Sequence, residues 1–108
     1  MNGLELMKHK RTKATNIPHS VKMIVYERDG GCCIFCGSPG LPEAHVVARS
    51  HGGLGIETNI ITACRACHDR MDNSSERGNY VKAAEAYLSE IYDNWKREDQ
   101  IYNKLGKL

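Results

Sequence analysis

Large aromatic side chains are scarce in this 108-residue chain, which has one Phe and one Trp beside five Tyr. A core built mostly of aliphatic groups in so short a chain is thin and calls for a staple. Long apolar runs are missing too. None approaches the roughly 20 residues needed to cross a bilayer. The opening MNGLELMKHKRTK holds no apolar segment of signal-peptide length. Together these absences lead us to expect a cytoplasmic protein with no membrane association. No internal repeat or low-complexity tract divides the chain, so a single domain is expected.

The formal net charge, +2, discriminates little by itself, but its distribution is uneven. Residues 1–20 hold Lys8, Lys10, Arg11 and Lys13 against Glu5, a balance of +3, which leaves −1 for the other 88 residues. Residues 1–17 are therefore expected to be a flexible basic arm, either a phosphate-binding element or a solvated tail.

Beyond the arm, NIPHSVKMIVYERDGG reads as a helix. Pro18 suits a first turn, Val21, Ile24, Val25 and Arg28 fall at helical spacing, and Gly30-Gly31 ends it. CCIFCGSPG is short enough only for a tight knuckle. LPEAHVVAR favours a strand, SHGGLGIETN a glycine-broken loop, IITAC a returning strand and RACHDRM a short helix. The remainder, about 76–105, is expected to be helical. Val81, Ala84, Leu88 and Ile91 form one apolar stripe, and Trp95, Ile101, Tyr102 and Leu105 form a second packing segment. These aromatics read as core rather than as base-stacking groups.

Cysteine is where the sequence is rich. Cys33 with Cys36, and Cys64 with Cys67, form two Cys-x-x-Cys pairs. In a reduced compartment such pairs supply a closed tetrahedral zinc site, the staple that the thin core lacks. Cys32 is the odd thiol, and a Cys32–Cys36 pairing stays open. His68 does not join the sulfurs readily, because neighbouring helical residues project about 100° apart. His68 and Asp72, at i and i+4, share another face and suggest a second, open cation site. For His68 the competing assignment is a packing histidine, and for Asp72 a solvated helix-end carboxylate. A metal pinning Cys36 to Cys64 would force the intervening chain to double back. His45 on a strand, Asn59 in a loop and His68 on a helix would then meet in one region.

On these residues the chain resembles the HNH endonucleases. The matching text is RDGGCCIFCG, AHVVARSHGG and TNIITACRACH, covering about residues 28–72. The downstream part is reminiscent of small HNH proteins of bacteriophages and prophages. The resemblance implies an α+β fold: a ββα-metal core at about 33–72, stapled by the four-cysteine zinc and flanked by helices within a domain of 18–108. It implies a DNA endonuclease that hydrolyses phosphodiester bonds. His45 would be the general base, Asn59 would hold the loop and fix the His45 ring by a hydrogen bond, and His68 would bind Mg²⁺, Mn²⁺ or another divalent cation. Many relatives carry a metal ligand just before the base, and here Ala44 stands there. Asp72 is the expected substitute. Glu43 is expected to contribute less, since adjacent strand residues face opposite sides. Arg49, Arg65 and Arg70 are candidates for phosphate binding, together with Ser50, His51 and the basic arm. DNA is the implied partner. A role beside a phage terminase, in the cytoplasm of a bacterial host, would follow from a phage origin. The competing readings are a catalytically inactive, zinc-stabilised nucleic-acid-binding module and a zinc knuckle for phage assembly.

Overall fold

The computed structural model describes residues 10–103. A short helix, α1, covers residues 10–15, and α2 follows at His19–Arg28. Pro18 caps α2 from outside rather than sitting in its first turn. Gly30 and Gly31, with φ of 65° and 70°, turn the chain away at the other end. Strands β1 (Leu41–His45) and β2 (Ile60–Ala63) pair antiparallel, with Ala44 opposite Ile61 and His45 opposite Ile60. Helix α3 (Arg65–Asn73) leaves β2 directly, and α4 (Arg77–Ile91) packs on α3. The fold is thus α+β, a two-stranded hairpin feeding a helix, as expected.

Alternation in β1 sorts its side chains. Pro42 and Ala44 point into the core, while Leu41 and Glu43 are exposed and His45 is half-buried on the opposite face. All four residues of β2 are buried. Ala44, Val46, Ile61, Ala63, Met71, Ala84 and Leu88 form one cluster, which Cys33 and Cys67 continue into the knuckles. Phe35 and Tyr80 close its edge, ring edge to face, with centroids 4.9 Å apart. The core is small and mostly aliphatic, in line with the composition.

Helix α2 attaches differently. Of the residues at helical spacing only Val25 is fully buried, and Ile24 is exposed. Its anchor is polar. The Asp29 carboxylate, fully removed from solvent, accepts from Arg28 Nε at 2.7 Å and from Thr62 N at 2.9 Å in β2. Tyr87 of α4 also donates to it. Arg28 in turn donates to the carbonyls of Glu57 and Ile60, both at 2.8 Å. Burial pushes the Asp29 carboxyl up, but Arg28 and Tyr87 outweigh it and hold the group below its ordinary value.

Two expectations are corrected here. Residues 10–15 are not a free arm: they are helical, and Thr15 is buried. Lys8 and Leu105 lie outside the described residues. The helix expected over 76–105 stops at Ile91, which is exposed. The chain then turns through Asn94, with φ of 61°, and a 3₁₀ turn at Arg97–Gln100. Side-chain and backbone bonds outcompete the helix there. Trp95 Nε1 donates to the Thr58 carbonyl at 2.7 Å, Leu54 N to that of Gln100 at 2.8 Å, and Tyr102 N to that of Gly52 at 2.7 Å.

Asp29→Ala strands Arg28 without its partner and should cost about 3–5 kcal/mol of stability, the range for breaking a buried pair. Denaturant titration would read this. Because the Asp29 pKa is depressed on folding, its contribution is present above the ordinary carboxylate value and fades as pH falls through the lower folded value.

Candidate active site and metal centre

The first knuckle is a turn closed by Cys33 N donating to the Ser38 carbonyl at 2.6 Å and Gly37 N to that of Cys33 at 2.9 Å. The second is the head of α3. Cys64 is the N-cap residue, its sulfur accepting from Cys67 N at 3.4 Å. The Sγ atoms of Cys33, Cys36, Cys64 and Cys67 all lie within 4.8 Å of one another, and those of Cys36 and Cys64 are 3.6 Å apart. Sulfurs at about 2.3 Å from a tetrahedral zinc stand about 3.8 Å apart, so the four fit that ion. Cys32 is exposed, and its backbone bridges Pro39. It stands outside the cluster.

The thiols also need a cation. Hydrogen bonds from Ser38 draw Cys36 down to about 6, whereas burial pushes Cys67 up to about 12. A buried thiol like Cys67 ionises only against positive charge, which a zinc ion would supply.

On the other side of α3 lies an open cavity of about 970 Å³. Glu43 and His45 reach it from β1, His68 and Asp72 from α3, and Lys22 and Arg77 from α2 and α4. His68 and Asp72 do share a face: Nε2 and Oδ2 are 3.1 Å apart. Cis ligands of an octahedral ion at about 2.1 Å stand about 3 Å apart, so this pair suits a hard divalent cation. Arg77 flanks it, with Nη1 3.5 Å from Asp72 Oδ1 and 2.7 Å from the Met71 carbonyl. Among the described residues, the four cysteines are the only cluster of three or more ligands that could hold an ion.

His45 Nε2 lies 2.8 Å from the carbonyl of Thr15. A carbonyl only accepts, so Nε2 carries the proton and Nδ1 keeps the lone pair. Burial lowers the His45 pKa from the ordinary 6.5, the Thr15 carbonyl partly opposing this and Arg49 adding to it. The neutral ring is therefore favoured.

Asn59 meets its expectation in part. It is fully buried and holds the loop, but it makes no hydrogen bond to the His45 ring. Its Oδ1 accepts from Val47 N at 2.9 Å, and its Nδ2 donates to the carbonyls of Leu54 at 2.8 Å and Val47 at 3.3 Å. Asn59 stitches the glycine loop together, and the ring is fixed by main chain from α1 instead. The side chain of Glu43 is also corrected. It is two residues from His45, hence on the same face of β1, and it pairs with Lys22 at 3.3 Å.

The basic candidates scatter. Arg49, Ser50 and His51 line the cavity. Arg65 lines a smaller adjoining groove that shares Glu43 and His68. Arg70 is turned toward Tyr80, and Lys10 and Lys13 are exposed away from the cavity. Arg11 donates to the Ser50 carbonyl at 2.9 Å. Lys22 and Arg77, by contrast, were not singled out from the sequence. Their only signal was a cationic residue on a helix that packs beside the motif.

Residues 33–74 match the family model of the HNH endonucleases. The likeness to the HNH endonuclease domain thus covers under half of the 108-residue chain. No curated protein and no solved structure matches the chain. Proteins with an HNH domain are in general nucleases acting on DNA, so a nuclease or nucleic-acid-binding function is supported. Among the described residues no helix is long and apolar enough to cross a membrane.

The protein should bind one zinc per chain through the HNH knuckles. Stripping it should remove on the order of 10 kcal/mol of folding energy, and replacing Cys67 by Ser should remove a part of that. Metal analysis beside a thermal melt checks both.

Proposed function

We propose that the protein is a metal-dependent DNA endonuclease. The observation that carries this is one cavity lined by a half-buried His45 and by the His68–Asp72 pair. Mere binding of nucleic acid has no need of a proton acceptor facing two cation ligands.

In this reading His45 Nδ1 takes a proton from the attacking water, a role suited to a neutral imidazole near pH 7. His68 Nε2 and Asp72 Oδ2 hold the divalent cation, and Glu43 offers a further carboxylate from the same cavity. A bound Mg²⁺ or Mn²⁺ supplies charge that stabilises the departing 3′ oxygen. Lys22, Arg49 and Arg77 hold phosphate oxygens around the centre, and Arg65 holds the strand where it leaves over the smaller groove. Lys10 and Lys13 add affinity that is independent of sequence. A zinc held by the four cysteines takes no part in the chemistry and keeps the knuckle before β1 against the head of α3.

The buried Ala44, where many relatives carry a ligand, favours a second reading, an HNH module that binds DNA without cutting it. A phage-encoded role beside a terminase, in the host cytoplasm, belongs to the first reading as its biological setting. Co-purification with a terminase would test that setting.

His45→Ala should slow nicking of supercoiled plasmid by a factor of about 10²–10⁴, the usual contribution of a general base. Zinc content and melting temperature should stay at wild-type values, and undiminished cutting would remove His45 from the mechanism. Because the His45 pKa is lowered, the base form persists into mildly acidic solution. The acid limb of wild-type kcat/KM should then fall below pH 6.5, the ordinary histidine value.

Asp72→Asn and Glu43→Gln separate the cation ligands. Mg²⁺ or Mn²⁺ titrated into zinc-loaded protein should need about tenfold higher concentration with Asp72→Asn. Glu43→Gln should shift the titration less, and an unchanged curve for Asp72→Asn would return that carboxylate to a surface role.

A further inference from the structure

Segment 11–16 is tied to the base and to the loop that follows it at four of its six positions. Arg11 Nη2 donates to the Ser50 carbonyl at 2.9 Å. The Ala14 carbonyl accepts from Gly55 N at 3.0 Å. The Thr15 carbonyl holds His45 Nε2 at 2.8 Å. Asn16 Oδ1 accepts from Arg49 Nη2.

The segment is itself held in shape. Thr15 is buried, and its hydroxyl donates to the Arg11 carbonyl at 3.0 Å or that of Thr12 at 3.2 Å. Packing against the loop leaves no room for a side chain at residue 55. A Cβ on Gly55 would stand 1.9 Å from the Asn16 oxygen and 2.5 Å from its carbonyl carbon, both of them backbone. Nothing in this arrangement requires nucleic acid.

We propose that residues 11–16 form a positioning strap that fixes the orientation and tautomer of the His45 ring, with Arg11 as its latch rather than a phosphate contact. This rests on His45 being the general base. The strap acts through the ring: a carbonyl on Nε2 forces the lone pair onto Nδ1 and holds the imidazole at one angle. Releasing it leaves base, cation ligands and zinc knuckles in the chain but frees the ring to rotate and to exchange tautomers. The strap lies outside residues 33–74, so this part of the centre is supplied from beyond the HNH segment. It also divides the basic residues of the N-terminal region by task. Arg11 faces the loop, while Lys10 and Lys13 are left free for phosphates.

Two substitutions loosen the strap without altering a residue of the cavity. Arg11→Ala removes the latch, and Gly55→Ala drives a methyl group into the Asn16 backbone. Gly78→Ala is the matched control, because a Cβ there meets nothing within 4 Å. Each full-length variant is loaded with zinc and assayed for kcat and KM on supercoiled plasmid with Mn²⁺, and for the dependence of plasmid binding on salt. The nitrogens of the His45 ring are followed by ¹⁵N NMR in the same samples.

Arg11→Ala and Gly55→Ala should lower kcat roughly tenfold to a hundredfold, the scale of a small misplacement of a reacting group. KM, the slope of binding against salt and zinc content should hold. The ring spectrum should pass from a single Nε2-protonated form to an averaged one, and Gly78→Ala should match wild type throughout.

The proposal is overturned if the ring spectrum and kcat are unchanged in both variants. It is equally overturned if Arg11→Ala raises KM and flattens the salt slope at constant kcat, the behaviour of a phosphate contact. Should Gly55→Ala fail to fold, Arg11→Ala carries the decision alone. Wild-type protein that cuts no plasmid would refute the nuclease reading, while the ring spectra would still decide whether the strap holds His45.

Discussion

Four sulfur atoms drawn within 4.8 Å of one another constrain everything between them. Cys36 and Cys64 are separated by 28 positions but stand 3.6 Å apart at Sγ, so the segment joining them must leave and return. The hairpin of β1 and β2 is how it does so, and its register puts Ala44 inward and His45 outward. A core of a few aliphatic side chains would hold such a loop closed poorly. An ion binding four thiolates can contribute about as much as the whole stability of a small domain.

The loop between the strands is short of regular structure and is held from outside instead. Asn59 ties Val47 to Leu54 from within. Segment 11–16 covers one side, through bonds to His45, Ser50 and Gly55. The chain after α4 covers another, through Gln100 to Leu54 and Tyr102 to Gly52, with Gly53 bridging Ile101. Gly53 is a glycine for a visible reason: its Cβ would stand 1.7 Å from the Val47 oxygen. Two distant parts of the chain thus converge on a glycine-rich turn that Asn59 also ties from within, which makes the placement of His45 a property of the whole domain.

Local pattern made some of this legible. The two Cys-x-x-Cys pairs announced the sulfur cluster, and i, i+4 spacing put His68 beside Asp72, because both follow from geometry within one short element. Contacts between distant segments were not legible. Nothing in Thr15 marks its carbonyl as the partner of His45, since a backbone acceptor has no side-chain signature. Asn59 was found by its position, but its partners depend on how the loop folds over it. Glu43 was discounted by comparing it with Ala44, its neighbour, when the relevant comparison was with His45 two residues on. Arg28 was noted only for its helical spacing, yet it is there for Asp29, a buried charge pair that hydrophobic periodicity does not detect. Helix α4 ended early because Tyr92 and Trp95 find polar partners at Glu57 and Thr58, which propensity along the chain could not reveal.

Cys64 holds two offices at once. It is a member of the sulfur cluster and also the residue that opens α3, and its carbonyl accepts from His68 N at 2.9 Å. The first turn of that helix is therefore wound directly onto the cluster, and His68 rides one turn above it. An ion on the four sulfurs and the proposed cation on His68 would be mechanically in series: disturbing the first would unwind the perch of His68. In the proposed reading a strong chelator would silence both centres together, and restoring the two metals in order, zinc before magnesium or manganese, would tell their contributions apart.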